Sequence, residues 1–414
     1  MAILGPRFFP YIAILSLALA GISISAPSPA LIAPDKVAKR ATCTPTSAGS
    51  ASIDDVPSIK SALSQCGNGG TIVLPAGTTY MLNSQLDLSA CHNCDIQLEG
   101  RLKASPDVDF WNNKRWMIQF NGAQGARFRS LTGTGEIDGN GQTAYDRFAA
   151  DTSLKRPALF VISNSSDISV SGFTAKNAQA VFFSTGSGSS RLSFDHLTLT
   201  ANSKSEYPPK NTDGFAIGSS TYVTMSDIYV QNQDDCIGFK AGLNYLTATD
   251  IECVGSHGLS VGSLAKAPGS FDPVENVYVK GAIMRDSSKA AGIKIYPGGE
   301  LHGDALVRNV TWEDVTVDNC NYAFQYAACY NEDEEYCEAN PSPAEVTEIY
   351  VKNFHGTTSS RYAPTVGEVY CPAEGPNCEV HVSDWAVTAP GGTSEFLCDK
   401  ITSSELGTTC TQIS

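Results

Sequence analysis

A spacing of 22 residues recurs through the middle of the chain and most strongly constrains its fold. Asp213, Asp235 and His257 follow one another at this interval. Apolar residues repeat in the same step, at Phe215, Ile237 and Leu259 and again at Ile217, Phe239 and Val261. A repeat of this length fits one coil of a right-handed parallel β-helix, whose coils stack about 4.8 Å apart. The pattern therefore predicts two acids and a histidine in one row on an outer face.

The rest of the sequence supports an all-β, single-domain solenoid with a cap at each end. From about Thr71 the chain consists of short β-rich runs broken by Gly, Asn, Asp and Ser, and no helical period is sustained. One helix is predicted at residues 54–65, where it would cover the exposed edge of the first coil. Residues 371–414 would form a disulfide-held second cap. Residues 329–346 are acidic and contain proline, so an exposed loop is predicted there.

The N-terminal 20 residues have the pattern of a secretory signal. Arg7 precedes an apolar run over residues 12–20, and Ala18-Leu19-Ala20 resembles a small-residue cleavage site. The alternative is a membrane anchor, for which the run is short. We therefore expect residues 1–20 to be a signal peptide and the protein to be extracellular.

A dibasic pair, Lys39-Arg40, follows the predicted signal peptide. If it is cleaved, residues 21–40 are a propeptide and residues 41–414 are the mature β-helix domain. If it is not cleaved, the same segment is an exposed tail.

The chain contains 13 cysteines, an odd number that leaves at least one thiol unpaired. In a secreted protein, cysteines indicate disulfides. The local pairs suggested by spacing are Cys43–Cys66, Cys236–Cys253, Cys329–Cys337, Cys371–Cys378 and Cys398–Cys410. Cys91 and Cys94 form a CxxC pattern that lacks the second half of a zinc site. Asn164 and Asn309 begin glycosylation sequons.

The net charge of −15 argues against nucleic acid and anionic membranes as partners. It does not favour an acidic polysaccharide either, so binding one would need local cations or an acidic medium. We expect a monomer with no nucleic-acid partner and no membrane contact after signal cleavage.

Four segments carry side chains suited to acid–base chemistry. They are residues 211–214 (NTDG), 233–236 (QDDC), 255–263 (GSHGLSVGS) and 292–296 (GIKIY). Glycoside hydrolysis commonly uses two carboxylic groups, and clustered carboxylates resist simultaneous ionisation, so one can stay protonated as the acid. Taken singly, each Asp could be a turn residue, the His structural and the Lys a solvated cation. Three acids and a histidine in stacked register favour a polysaccharide-cleaving site.

At these four motifs the sequence resembles glycoside hydrolase family 28, the polygalacturonase family, over about residues 70–400. The resemblance implies a right-handed parallel β-helix that hydrolyses plant cell-wall pectin with inversion, without a metal or cofactor. It implies that Asp234 is the general acid and that Asp213 and Asp235 hold and deprotonate the attacking water. His257 would tune the acid and contact the substrate. Substrate contacts are expected from Asn211, Gly292, Lys294 and Tyr296.

The sequence departs from the family pattern at two positions. Ala216 stands where the first motif often has Asp, and Gly292 stands where the last motif usually has Arg. Arginine suits bidentate grip of a carboxylate, so binding of plain galacturonate should weaken. This departure, with residues 290–297 and 319–325, looks most like the endo-xylogalacturonan hydrolases, which cut a galacturonan carrying xylose. We expect Gly292 to open room for that branch.

Three alternatives stay open at the sequence level. An exo-polygalacturonase, or a rhamnogalacturonan galacturonohydrolase acting at chain ends, would need loops that close the cleft. A pectate lyase would need calcium and a basic residue as the base. A non-catalytic β-helix that binds cell-wall polymer would explain Ala216 and Gly292 as losses, but it leaves the acids unexplained.

Overall fold

The structure, a computed structural model, is a parallel β-helix. It describes residues 40–373 and 375–413, so the predicted signal peptide and nearly all of the predicted propeptide lie outside the described residues. Strands pair with the equivalent strands of the next coil, and every strand pairing is parallel, for example β16 with β18 and β15 with β17 as bounded below. The predicted fold class is confirmed.

The described residues form 28 strands and five helices. The strands are β1 (Thr42–Cys43), β2 (Thr71–Leu74), β3 (Thr79–Leu82), β4 (Leu86–Asp87), β5 (Asp95–Leu98), β6 (Arg101–Ala104), β7 (Trp116–Asn121), β8 (Arg127–Arg129), β9 (Glu136–Asp138), β10 (Ala158–Ser163), β11 (Ser166–Ser171), β12 (Thr174–Lys176), β13 (Phe183–Gly186), β14 (Ser189–Thr200), β15 (Phe215–Ile217), β16 (Ser220–Gln231), β17 (Ile237–Phe239), β18 (Leu243–Val254), β19 (Leu259–Leu264), β20 (Phe271–Arg285), β21 (Lys289–Ile295), β22 (Asp304–Cys320), β23 (Tyr322–Ala327), β24 (Glu345–Thr358), β25 (Thr365–Tyr370), β26 (Cys378–Thr388), β27 (Glu395–Asp399) and β28 (Thr411–Gln412). The helices are α1 (Val56–Cys66), α2 (Val108–Trp111), α3 (Gln142–Ala150), α4 (Glu334–Ala339) and α5 (Ser403–Leu406).

The strands form two long sheets that face each other across the core. The first sheet has 16 strands, and its main path runs from β1 to β26. The second sheet has 12 strands in the order β4, β7, β10, β13, β15, β17, β19, β21, β23, β25, β27 and β28. Each coil contributes to both sheets, so residues in register on the second sheet form rows along the helix axis.

The 22-residue repeat sets the register of the second sheet. Phe215 pairs with Ile237 and Ile237 with Leu259, as the spacing predicts. Inward-facing side chains stack in the same way: the ring centroids of Phe160 and Phe183 are 5.6 Å apart, and those of Phe183 and Phe215 are 5.3 Å apart. Because these rings are buried and touch from coil to coil, the core is continuous along the axis.

Both ends are capped, largely as expected. Helix α1 buries Val56, Ile59 and Leu63 against the first coils, where the sequence predicts a helix. The expected exposed loop at residues 329–346 is wrong in part. Helix α4 lies within it, capped at its start by the Asp333 side chain.

All five predicted local disulfides are present, with a sixth between Cys91 and Cys94. The CxxC pair is therefore a disulfide. Cys320 is the free thiol that the odd count requires, and it is buried. No helix among the described residues is long and apolar enough to cross a membrane.

Candidate active site

The predicted acid–histidine row forms at the turns that lead into β15, β17 and β19. The backbone amide of Gly214 donates to the carbonyl of Asp235 at 2.9 Å, and that of Cys236 donates to the carbonyl of Gly258 at 3.0 Å. These bonds hold the turns in register, so the side chains one residue earlier, Asp213, Asp235 and His257, stack as the spacing predicts. The Cys236–Cys253 disulfide links this turn to β18 of the first sheet.

Asp235 lies beneath the surface and not on the outer face that the sequence predicts. Only 1% of it is exposed. One carboxylate oxygen accepts from Lys294 at 2.7 Å and the other from Lys240 at 2.8 Å. Lys240 also lies 3.5 Å from Asp213, which is itself buried. The positive charges of two lysines therefore balance the negative charges of two buried carboxylates. Of these lysines, Lys240 was not predicted from the sequence.

Asp234 is the most accessible of the three acids. Its carboxylate lies 3.3 Å from the Nδ1 atom of the exposed His257 and accepts from the Asn211 amide at 3.2 Å. Asn211 is placed in turn by Arg156, whose guanidinium donates to its side-chain oxygen at 2.8 Å. The row thus presents one reachable carboxylate, with a histidine and an amide beside it, above two buried ones.

The three acids differ in their affinity for a proton. Burial raises the pKa of Asp213 to about 7, against the opposing charge of Lys240 and together with the negative charges of Asp234 and Asp235. Burial acts in the same direction on Asp234, but the hydrogen bond and charge of His257 outweigh it and lower the pKa of Asp234 to about 2. Below about pH 7 the ligand-free site therefore holds a proton, and that proton lies on Asp213.

Lys294 and Tyr296 are both more enclosed than the sequence suggests. Lys294 is 6% exposed, and its ammonium is bonded to Asp235. Tyr296 is 5% exposed and packs against His302 and Tyr330, with ring centroids 5.1 Å and 5.5 Å away. The ammonium of Lys294 therefore pairs with the carboxylate of Asp235, and the ring of Tyr296 forms part of the wall behind the acids.

The room expected beside Gly292 is absent, and that expectation is wrong. A Cβ atom on Gly292 would lie 2.3 Å from the carbonyl oxygen of Gln325 and 2.8 Å from the Cδ atom of Lys289. The lysine side chain crosses the face of the glycine and fills the volume that a larger side chain would need. Glycine is required here chiefly by the backbone carbonyl of Gln325, and the Lys289 stem then occupies the space above the glycine.

Lys289 is the functional candidate that the sequence analysis missed. It is 6% exposed, and within the described part of the chain no group accepts a hydrogen bond from its ammonium. Burial, together with the neighbouring charge of Lys294, lowers the pKa of Lys289 to about 8. It stands in register one coil beyond His257, because Ser260 pairs with Gly292. An unpaired buried cation beside the acids is suited to receiving an anionic ligand.

Asp234, Asp235 and His257 each offer an atom within 4.8 Å of the others, a spacing that a metal ion could use. Both oxygens of Asp235, however, already accept from lysine ammonium groups. A cation placed there would meet two fixed positive charges at close range. The donor set does not fit a resident metal.

The other predicted positions are distributed as follows. Ala216 lies in β15 next to Gly238 and carries no polar group that could support the acids. Asn164 and Asn309 are exposed, as a glycan acceptor must be, and Asn309 donates to Asn276 at 2.7 Å.

Comparison with known proteins agrees with this geometry. The profile of Glycosyl hydrolases family 28 matches residues 66–410. Endo-xylogalacturonan hydrolase A of Aspergillus tubingensis is 53% identical over 396 residues, which are 95% of this chain and 97% of that one. Probable endo-xylogalacturonan hydrolase A of Emericella nidulans is 54% identical over 386 residues, covering 93% of this chain and 94% of that one.

Solved structures show the same architecture. The crystal structure of endo-xylogalacturonan hydrolase from Aspergillus tubingensis superposes with a TM-score of 0.87 at 52% identity, covering 90% of this chain and all of that one. Polygalacturonase from Erwinia carotovora shares the fold with a TM-score of 0.65 at 17% identity, covering 90% of this chain and 98% of that one. The family profile, the relatives and the stacked acids agree: the chain is a glycoside hydrolase and belongs to glycosyl hydrolases family 28.

Proposed function

We propose that this protein is a secreted endo-acting hydrolase that cuts α-1,4 galacturonosyl linkages in xylogalacturonan with inversion of the anomeric centre. The observation that carries the proposal is the row of Asp213, Asp234 and Asp235, in a chain 53% identical to the Aspergillus tubingensis enzyme over 95% of its length. Six disulfides support an oxidising, extracellular destination. If Lys39-Arg40 is cleaved, the mature chain begins at Ala41, and if it is not, residues 21–40 remain as a tail.

Asp234 is the general acid in this proposal, because it is the carboxylic group that a glycosidic oxygen can reach. Asp213 and Asp235 lie below it and hold the attacking water, which Asp213 deprotonates as the glycosidic bond breaks. In an inverting enzyme the water attacks the face of the sugar opposite the leaving oxygen, so acid and base must be different groups. Lys240 and Lys294 keep Asp235 ionised by pairing with both of its oxygens.

One proton is shared by this group of acids. It rests on Asp213 in the free enzyme, since burial raises the pKa of Asp213 to about 7. A bound galacturonosyl carboxylate and the loss of water both raise the pKa of Asp234, which moves the proton to the acid and leaves Asp213 ionised as the base. His257 lowers the pKa of Asp234 in the free enzyme through its contact with that carboxylate, and so keeps the proton on Asp213 before substrate binds.

The substrate carboxylate is received by Lys289 in this proposal. Its ammonium lacks a partner, lies in the row of the acids, and occupies the side of the cleft where the family pattern has arginine. Asn211 and His257 line the opposite, exposed side. Gly292 contributes by leaving space for the Lys289 stem, and Tyr296 by supporting the wall.

Product analysis on xylogalacturonan and on unbranched polygalacturonate, run side by side with an Asp234→Asn control, tests the proposal. Xylose-bearing oligomers released from the branched polymer, and absent with the variant, are the expected result. Galacturonate monomer as the main product would instead identify an exo-acting enzyme. Equal cleavage by the Asp234→Asn variant would refute the assignment of the acid.

A further inference from the structure

Beyond the acids, toward the C-terminus, the second sheet carries a group of uncharged polar side chains around one carboxylate. Gln325 of β23 is in register with Gly292 of β21, and Glu368 of β25 is in register with Gln325. Because coils stack about 4.8 Å apart, Glu368 lies two coils, or about 10 Å, from Gly292 on the same face. This distance is the length of about two sugar units along a chain.

Glu368 is held by its neighbours in a fixed orientation. Its Oε1 atom accepts from the Gln325 amide at 2.7 Å and its Oε2 atom from the Tyr370 hydroxyl at 3.1 Å. Burial and the charge of Glu368 raise the pKa of Tyr322, whose ring stacks on that of Tyr362 with centroids 4.7 Å apart. Glu368 is 7% exposed, whereas Gln325, Tyr322 and Tyr370 are half-buried and Tyr362 is exposed.

This cluster is unsuited to a galacturonosyl unit. Every galacturonosyl unit of the backbone carries a carboxylate, with or without a xylose on its hydroxyls, and a fixed, poorly hydrated carboxylate at Glu368 would repel it. No lysine or arginine forms an ion pair with Glu368 among the described residues. Lys289, and Arg361 whose guanidinium lies 5.4 Å from the Tyr362 ring centroid, act on the cluster only through their fields.

The same cluster is suited to the hydroxyl groups of an uncharged sugar. A carboxylate can accept about four hydrogen bonds, and Glu368 accepts from Gln325, Tyr370 and Tyr322 within the protein, which leaves capacity for a sugar hydroxyl. Hydroxyl donors on a charged acceptor make stronger bonds than neutral pairs. The tyrosine rings add apolar surface with a polar edge, which matches the mixed surface of a pentose.

We propose that Glu368, Gln325, Tyr322, Tyr362 and Tyr370 form a binding site for an uncharged branch sugar, which in xylogalacturonan is the xylose. The proposal rests on the function proposed above and assigns its specificity. Lys289 takes the carboxylate of the backbone, and the Glu368 cluster takes the hydroxyls of the branch. The preference for the branched polymer thus comes from the cation Lys289 and the anion Glu368, which lie one after the other along the same face of the second sheet. It does not come from empty volume at Gly292.

The decisive experiment compares kcat/KM on xylogalacturonan and on the same polymer after its xylose has been removed. Glu368→Gln keeps the shape of the side chain and removes its charge. We expect the ratio of branched to debranched kcat/KM to fall about 10-fold, the effect of losing one hydrogen bond to a charged group. Glu345→Gln, an exposed carboxylate on β24 of the first sheet, is the matched control and should leave the ratio unchanged.

Because Glu368 is buried, a second variant guards against misfolding. Tyr362→Ala removes an exposed ring that packs only at the edge of the cluster, and it should lower the same ratio with an unchanged unfolding midpoint. An unchanged ratio in both variants, in an enzyme that prefers the branched polymer, would overturn the branch-sugar site alone. A wild-type enzyme with no preference for the branched polymer would overturn the proposed function and this site together.

Discussion

Replacing Lys289 with methionine is expected to make the fold more stable and the enzyme slower. Burial, with the adjacent charge of Lys294, lowers the pKa of Lys289 from 10.5 to about 8. One pKa unit corresponds to about 1.4 kcal/mol between the two protonation states, so the charged ammonium destabilises the ligand-free fold by about 3 kcal/mol. Methionine has a similar length and adapts to irregular space, so it removes the charge without leaving a large cavity.

The pH dependence separates the effect of charge from that of shape. Below pH 8, Lys289 is charged in both the folded and the unfolded chain, and the full destabilisation applies. Between pH 8 and 10.5 the unfolded chain binds more protons at this position than the folded chain, so the contribution of this group to stability rises with pH. The difference in stability between the variant and the wild type should therefore be largest below pH 8 and should shrink toward pH 10.5.

Guanidinium unfolding followed by tryptophan fluorescence, at one pH on each side of this window, measures the difference. Kinetics on galacturonan oligomers supplies the second readout, where loss of a charged hydrogen bond should lower kcat/KM by about 10-fold or more. Lys60→Met, an exposed lysine on α1, is the matched control for both measurements. A Lys289→Met protein that is less stable than the wild type below pH 8, or that keeps full kcat/KM, would refute the reasoning.

Three further outcomes are expected. The kcat/KM should fall as pH rises through about 7, because the proton needed for catalysis rests on Asp213 and leaves there; a pH–rate profile that is flat across this range would contradict it. Gly292→Ala should destabilise the fold by about 1–3 kcal/mol, since its Cβ atom would lie 2.3 Å from the Gln325 carbonyl oxygen; an unchanged unfolding midpoint, or a gain of activity on plain polygalacturonate, would show that the strand gives way. Hydrolysis should survive a chelator and yield no unsaturated product, since lysines occupy both oxygens of Asp235; loss of activity that calcium restores would show otherwise.

The spacing of Asp213, Asp235 and His257 was enough to predict the coil, the register and the acid row. Side-chain period and repeat length depend only on local chain geometry, so they are readable before the structure is known. The depth of each acid below the protein surface could not be predicted in the same way. Asp235 is buried because Lys240 of its own coil and Lys294 of β21, two coils further along, both reach it, and such contacts depend on side-chain direction in three dimensions.

The sequence analysis did not identify Lys289 because the repeat length changes just before it. The interval that separates Asp235 from His257 is 22 residues, but the residue that stacks next, Lys289, follows 32 residues after His257. The extra residues lie outside the second sheet, between β19 and the pairing part of β20, so the row continues in space although the sequence period breaks. The side-chain direction of Lys289 over Gly292 could not be read from spacing either.

The unequal coil lengths suggest how this scaffold could be altered by design. Ser260 and Gly292 are 32 residues apart and Gly292 and Gln325 are 33 apart, yet all three stay in register with the shorter coils. Added residues are therefore absorbed at the corners, while the strands keep their places. Segments such as the one between β23 and β24, which contains α4 and the Cys329–Cys337 disulfide, could be exchanged as cassettes to deepen or widen the groove without moving the groups on its floor.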